Sequence, residues 1–107
     1  MRILLDECVP RPLRREFVGH TVSTIRDMGW AGKKNGELLA LMAGAGFEVL
    51  LTVDQNLRYQ QNLAASGVAV VVLLAQKNHL DQLVPLVPSA MIALVGIRPG
   101  DVVEIVA

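Results

Sequence analysis

Five short strand-like runs recur along the chain, and their spacing constrains the fold more than any other feature. They cover residues 2–6, 20–25, 47–53, 68–74 and 102–106. Runs of this length that are rich in Val, Ile and Leu and bounded by Gly, Pro or polar residues are typical of β-strands. The run at residues 68–74 contains no polar side chain, which predicts a strand buried on both faces at the centre of a parallel sheet.

The segments between these runs predict helices. Pro10 and Pro12 suit the first turn of one helix, and Asn35 suits the N-cap of another. A short polar helix is expected over residues 56–65, and two prolines should divide or kink a helical segment over residues 80–94. Strands that alternate with helices in this way predict an α/β fold, as a single three-layer α/β/α domain with a mostly parallel sheet over the whole chain.

Composition agrees with this fold and narrows the class of protein. Hydrophobic residues make up 52% of the 107 residues and aromatic residues only 4%, so the core should be aliphatic. Ten acidic and ten basic residues balance, and any contact with RNA would therefore depend on local basic patches. The single cysteine, Cys8, fits a reducing compartment. With no run long enough for a membrane span and a strand at the very start, we expect a cytoplasmic protein without a signal peptide or membrane contact.

Acidic residues directly follow two of the predicted strands. Asp6 and Glu7 close the first run, and Asp54 comes just after the third. In open parallel sheets, ligands bind beyond the carboxyl ends of the strands, where the strand order reverses. Carboxylates that converge there repel one another, and a divalent cation offsets that repulsion. The positions therefore predict a site for Mg²⁺ or Mn²⁺, which could activate water against a phosphodiester.

Simpler roles stay open for each of these side chains. Asp6 and Asp54 could each cap a helix, and Glu7 could be an ordinary surface residue. Glu37 is favoured in the first turn of its helix by the helix dipole alone. Basic residues could follow an RNA backbone or belong to an ordinary solvated surface. They are Arg11, Arg14, Arg15, Lys33, Lys34 and Arg58.

Several short motifs together resemble a known family. ILLDE at residues 3–7 is followed by Pro10, by GHTV at residues 19–22 and by LLTVD at residues 50–54. In this order and spacing they resemble the small PIN-like domain family of bacterial proteins. The resemblance implies a PIN-type sheet with strand order 3-2-1-4-5. It also implies a relation to magnesium-dependent ribonucleases, which are often toxins neutralised by an antitoxin.

The resemblance also assigns roles to individual residues. Asp6 and Asp54 match acidic positions of the family, and Glu7 matches the second residue of its opening acidic pair. The family's helix-start aspartate is replaced by Asn35, with Glu37 two residues further on as a substitute. The second aspartate after the third strand is replaced by Asn56. An amide oxygen can contact a metal ion but supplies no charge, so these two changes should weaken metal binding.

The leading hypothesis is a metal-dependent ribonuclease that acts as the toxin of a toxin–antitoxin pair. Asp6, Asp54 and Glu37 would be catalytic and would bind Mg²⁺ or Mn²⁺, with Glu7, Asn35 and Asn56 in support. Its expected partners are RNA, a small antitoxin and a second copy of the chain.

Two other functions are compatible with the pattern. A PIN-like module with weakened catalysis would bind a protein partner or RNA. A receiver-like phospho-acceptor domain is a remote alternative, because it needs a hydroxyl after the fourth strand, where Leu74 and Ala75 stand, and a Lys after the fifth.

Overall fold

A computed structural model describes residues 1–33, 35–55 and 66–106, with the side chain of Asn35 left out of the description. The predicted helix over residues 56–65 therefore lies outside the described residues. The helices and strands are β1 (Arg2–Leu5), a 3-10 helix (Arg11–Glu16), β2 (Thr21–Thr24), α1 (Asn35–Gly44), β3 (Val49–Thr52), β4 (Ala69–Leu74), α2 (Leu80–Leu83), a 3-10 turn (Val84–Leu86), α3 (Val87–Gly96) and β5 (Val102–Val106).

The five strands form one sheet in the order β2-β1-β3-β4-β5, and every neighbouring pair is parallel. Parallel strands require crossover connections, which place helices against the faces of the sheet. The predicted α/β fold with a parallel sheet is thus confirmed, and each predicted strand is present within one or two residues of its expected bounds.

The position of β3 corrects the strand order of 3-2-1-4-5 that the resemblance implied. In that order β3 would lie at an edge beyond β2, whereas it pairs with β1 on one side and β4 on the other. Burial explains the difference. All four residues of β3 are buried, while β2 (TVST) begins with an exposed Thr21 and carries three hydroxyl side chains. The polar strand therefore lies at the edge, and the apolar strand lies inside.

The core consists of two apolar layers, one on each face of the sheet. Successive residues of a strand point to opposite faces, so Leu50 packs into one layer and Leu51 into the other. Helix α1 covers the first layer, and the helices on either side of the 3-10 turn cover the second. Buried helical residues in these layers are Leu38, Leu39 and Met42 on the first face, with Leu13, Leu83, Leu86, Val87, Ala90 and Leu94 on the second.

Prolines set the form of the helices on the second face. The segment after Pro10 is a 3-10 helix with a proline in its first turn, and it carries Leu13 into the core. The prolines at 85 and 88 divide the segment after β4 into α2, a 3-10 turn and α3, as predicted. Among the described residues, no helix is long and apolar enough to span a bilayer.

Candidate functional site

The strand order places its reversal between β1 and β3. From β1 the chain moves outward to β2 on one side, and from β3 it moves outward to β4 and β5 on the other. This is the switch point at which open α/β sheets bind ligands beyond the carboxyl ends of their strands. Asp6 directly follows β1 and Asp54 lies two residues after β3. Both residues line one open cleft of about 480 Å³, so the two acids lie at the same end of the sheet.

A buried hydroxyl connects the two acidic segments. Thr52, the last residue of β3, is 0% exposed. Its Oγ1 donates a 2.8 Å hydrogen bond to Asp6 Oδ2 and accepts a 3.0 Å hydrogen bond from the backbone N–H of Asp54. The register places the two partners side by side, because Leu5 pairs with Leu51 and the next residues of the two strands are Asp6 and Thr52. The Asp6 carboxylate is thus held in one orientation toward the cleft.

Asp6 receives two more hydrogen bonds from its own loop. The backbone N–H of Glu7 donates to Oδ1 at 2.9 Å, and the thiol of Cys8 lies 3.6 Å from Oδ2. A carboxylate has about four lone-pair sites, so these donors and Thr52 leave about one open, on Oδ1.

Cys8 also lines the cleft, a position that its sequence context did not predict. Its sulfur lies 3.6 Å from Thr52 Oγ1 as well as close to Asp6. Burial is the main cause that raises the pKa of the Cys8 thiol above its ordinary value, and the negative charge of Asp6 raises it further. The thiol is therefore protonated at neutral pH and acts as a hydrogen-bond donor rather than a nucleophile.

Glu7 holds the loop after β2 against the cleft. Its Oε1 accepts a 2.9 Å hydrogen bond from the backbone N–H of Gly32. Gly32 has a φ of +81°, a conformation that side chains with a Cβ rarely adopt. Lys33, the next residue, lines the cleft beside this contact.

Glu37 is not gathered with the other two acids. It does not line their cleft, and its Oε1 lies 3.1 Å from Lys33 Nζ. Among residues 1–33, 35–55 and 66–106, no three His, Cys, Asp or Glu side chains come together as a metal-binding group. Asn35 begins α1, but its side chain is not described, and Asn56 lies outside the described residues. Among the described residues, the carboxylates that line the cleft are therefore Asp6, Glu7 and Asp54, whereas Glu37, the third predicted metal ligand, does not line it.

Two of the predicted RNA-binding arginines form salt bridges with the same aspartate. Arg11 and Arg14 both contact the Asp27 carboxylate, at 3.2 and 3.5 Å. The pKa of Asp27 is lowered chiefly by the backbone N–H of Thr24, then by the side chain of Thr24, and less by these two guanidinium groups. Arg15 is exposed on the 3-10 helix, whereas Lys34 and Arg58 lie outside the described residues. The Asp27 cluster thus ties the 3-10 helix to the loop after β2.

The arrangement defines an open α/β domain with an acidic site at the switch point of its sheet. The chain belongs to the PIN-like domain family, because the family model for a PIN-like domain matches residues 1–75. The matched part contains β1 to β4 and both acids of the cleft, while α2, α3 and β5 lie beyond it. No curated protein and no solved structure matches the chain significantly.

Replacing Thr52 by Val should weaken the link between β1 and β3. The substitution keeps the shape of the side chain but removes the donor to Asp6, and a hydrogen bond to a charged group contributes about 1.5–3 kcal/mol. Because water can reach the half-buried Asp6 carboxylate, we expect a loss of about 1–2 kcal/mol in the free energy of unfolding. Urea unfolding followed by the fluorescence of the single tryptophan, Trp30, measures it.

A double-mutant cycle with Asp6→Ala separates this hydrogen bond from general packing. The coupling energy between Thr52→Val and Asp6→Ala should be about 1 kcal/mol or more. Thr52→Ser, which retains the hydroxyl, is the matched control and should keep most of the coupling. A coupling energy near zero would show that the hydroxyl does not hold Asp6.

The raised pKa of Cys8 predicts slow alkylation. Only the thiolate reacts with iodoacetamide. The pH at which the alkylation rate reaches half of its maximum should therefore be higher in the native protein than in urea.

Asp6→Asn removes a charge that raises the pKa of Cys8 and should lower this midpoint in the native protein, whereas Glu16→Gln should leave it unchanged. Since the unfolded chain loses its thiol proton first, the free energy of unfolding should fall as the pH rises through the two midpoints. Equal midpoints in folded and unfolded protein would contradict the assignment.

Proposed function

We propose that this PIN-like domain is a metal-dependent ribonuclease that hydrolyses phosphodiester bonds at the cleft between β1 and β3. One observation carries the proposal: Asp6 and Asp54 line the same cleft at the switch point of the sheet. Acidic side chains at this point do not contribute to the apolar core, and the carboxylate of Asp6 is held in place by the buried hydroxyl of Thr52.

The donor set suits a hard divalent cation. Magnesium keeps several waters and is usually bound through one or two carboxylates together with substrate phosphates. Asp6, through its less occupied Oδ1, and Asp54 would hold Mg²⁺ or Mn²⁺. When bound, the ion would supply an activated water and neutralise charge on the phosphodiester.

The surrounding residues of the chain fix that arrangement. Thr52 and the backbone N–H of Glu7 orient the Asp6 carboxylate before any ligand arrives, so little reorganisation remains for catalysis. Glu37 would join the site only after leaving Lys33. That pair is exposed on both sides, and its loss would cost no more than about 0.5 kcal/mol.

A second function is favoured by the absence of Glu37 from the cleft. Glu37 pairs with Lys33 and does not line the cleft, so the cleft lacks one of the three acids that were predicted to bind the metal ion. Such a domain would keep the fold and bind RNA or a protein partner without efficient cleavage. The toxin hypothesis includes both functions. The chain would cleave RNA as an active enzyme, and a small antitoxin would bind as a protein partner and occupy its cleft.

Cleavage of RNA in the presence of Mn²⁺ or Mg²⁺ tests the nuclease proposal. Asp6→Asn and Asp54→Asn should each lower the rate at least about 100-fold, equivalent to about 2.7 kcal/mol of transition-state stabilisation. Calorimetry should show weaker Mn²⁺ binding in both variants. Glu16→Gln removes an exposed carboxylate outside the cleft and serves as the control. Wild-type protein that neither binds Mn²⁺ nor cleaves RNA faster than these variants would contradict the proposal.

Co-expression with the product of the neighbouring gene tests the partner. If that gene encodes an antitoxin, the two proteins should co-purify and the complex should lose ribonuclease activity. Asp6→Asn should still bind the partner, because its change preserves the shape of the cleft. A binding module would instead retain the partner and show no metal-dependent cleavage in any variant. Size-exclusion chromatography of the chain alone would report whether a second copy is a further partner.

A further inference from the structure

Three clefts lie in a row along the carboxyl edge of the sheet. The first is bounded by the ends of β2 and β1, the second by the ends of β1 and β3, and the third by the ends of β3 and β4. The first and second share Asp6, Glu7 and Ile25, and the second and third share Val53. Because neighbouring clefts share these residues, the three together are named here the edge groove, and they extend over three strand spacings, roughly 14 Å.

The two ends of the edge groove carry cationic side chains that have no ion-pair partner among the described residues. Arg26 lines the first cleft and Lys77 lines the third. Both side chains are exposed, and neither makes an ion pair or a hydrogen bond with any described residue. In contrast, Arg11 in the first cleft is paired with Asp27, and Lys33 in the second is paired with Glu37.

We infer that Arg26 and Lys77 hold the backbone of the RNA substrate in the edge groove, by contacting phosphates on either side of the one presented to Asp6 and Asp54. This inference rests on the proposed function, since it concerns the substrate of the same site. Among the described residues that line the groove, Arg26 and Lys77 lie toward its two ends, and the carboxylates of Asp6, Glu7 and Asp54 lie between them. Phosphates at the ends would meet positive charge, and the central phosphate would face the acids.

The dimensions of the groove favour a single strand over a duplex. Each cleft has a volume of about 200–480 Å³, whereas duplex RNA presents a wide and shallow minor groove and a narrow major groove that side chains do not enter. None of the described residues that line the three clefts is aromatic. Without a stacking surface, binding should depend on phosphate contacts and show little base preference.

The salt dependence of binding tests the groove. A labelled oligoribonucleotide of about 12 nucleotides is titrated with wild-type protein in EDTA, where metal-dependent cleavage is absent. For single strands, each lost phosphate contact lowers the slope of log affinity against log salt by about 0.7. Arg26→Ala and Lys77→Ala should each reduce the slope by about that amount and weaken binding severalfold, with oligo(U) and oligo(A) affected alike.

Arg98→Ala provides the matched control. Arg98 is equally exposed but lines a pocket at the amino edge of the sheet, so its removal changes the net charge and leaves the edge groove intact. The slope and affinity of this variant should equal those of the wild type. The groove assignment is wrong if the three variants behave alike, or if wild-type protein does not bind the oligonucleotide. It is also wrong if duplex RNA or an acidic peptide of equal charge binds as tightly.

The outcomes separate this inference from the nuclease proposal. If Asp6→Asn abolishes cleavage while Arg26→Ala and Lys77→Ala bind and cleave like Arg98→Ala, the groove is wrong and the nuclease proposal stands. If both cations contribute to binding but no metal-dependent cleavage is found, the groove stands and the nuclease proposal fails.

Discussion

The parallel pairing of β1 with β3 is the contact on which the rest of the structure depends. It brings together the ends of two strands that are more than forty residues apart in sequence, and it sets the point at which the strand order reverses. The same register places a buried hydroxyl beside a carboxylate, so that Thr52 links the backbone of one strand to the side chain that follows the other. The register of β1 with β3 therefore determines both the packing of the apolar side chains and the geometry of the site. A change that shifts this register by one residue would move the apolar side chains to the wrong faces and would also separate Asp6 from Thr52.

Local patterns were sufficient to predict the five strands and the position of two acids at strand ends. Apolar runs of strand length, bounded by turn residues, located all five strands, and the carboxylates at the ends of two runs located Asp6 and Asp54. The neighbours of β3 were predicted wrongly because strand order depends on contacts between distant segments, which no local pattern contains. The polarity of β2 was an available signal, since a strand with three hydroxyl side chains is better placed at an edge than beside two buried strands.

The environment of the acids was harder to predict than their positions. A buried Thr between an apolar strand and an acid needs a hydrogen-bond partner, and this rule would have indicated Thr52 as part of the site. No comparable rule indicated that Cys8 would donate to Asp6, or that two of the arginines would be engaged by Asp27, because both contacts depend on how loops fold back on the sheet. Arg26 and Lys77 were overlooked for the same reason. Basic residues differ in function according to which of them are neutralised by acids nearby, and the sequence does not show those pairs.

The opposite edge of the sheet has a practical consequence for handling the protein. At the amino edge, the carbonyl of Met1 accepts a hydrogen bond from Thr21, and the guanidinium group of Arg2 lies 4.4 Å from the ring of Phe47. The pocket there is lined by Met1, Glu48 and Arg98, all far along the strands from the acids. A fluorophore, biotin or surface tether attached near Arg98 would leave the edge groove facing the solution. Immobilised single molecules could then be presented to RNA in a common orientation.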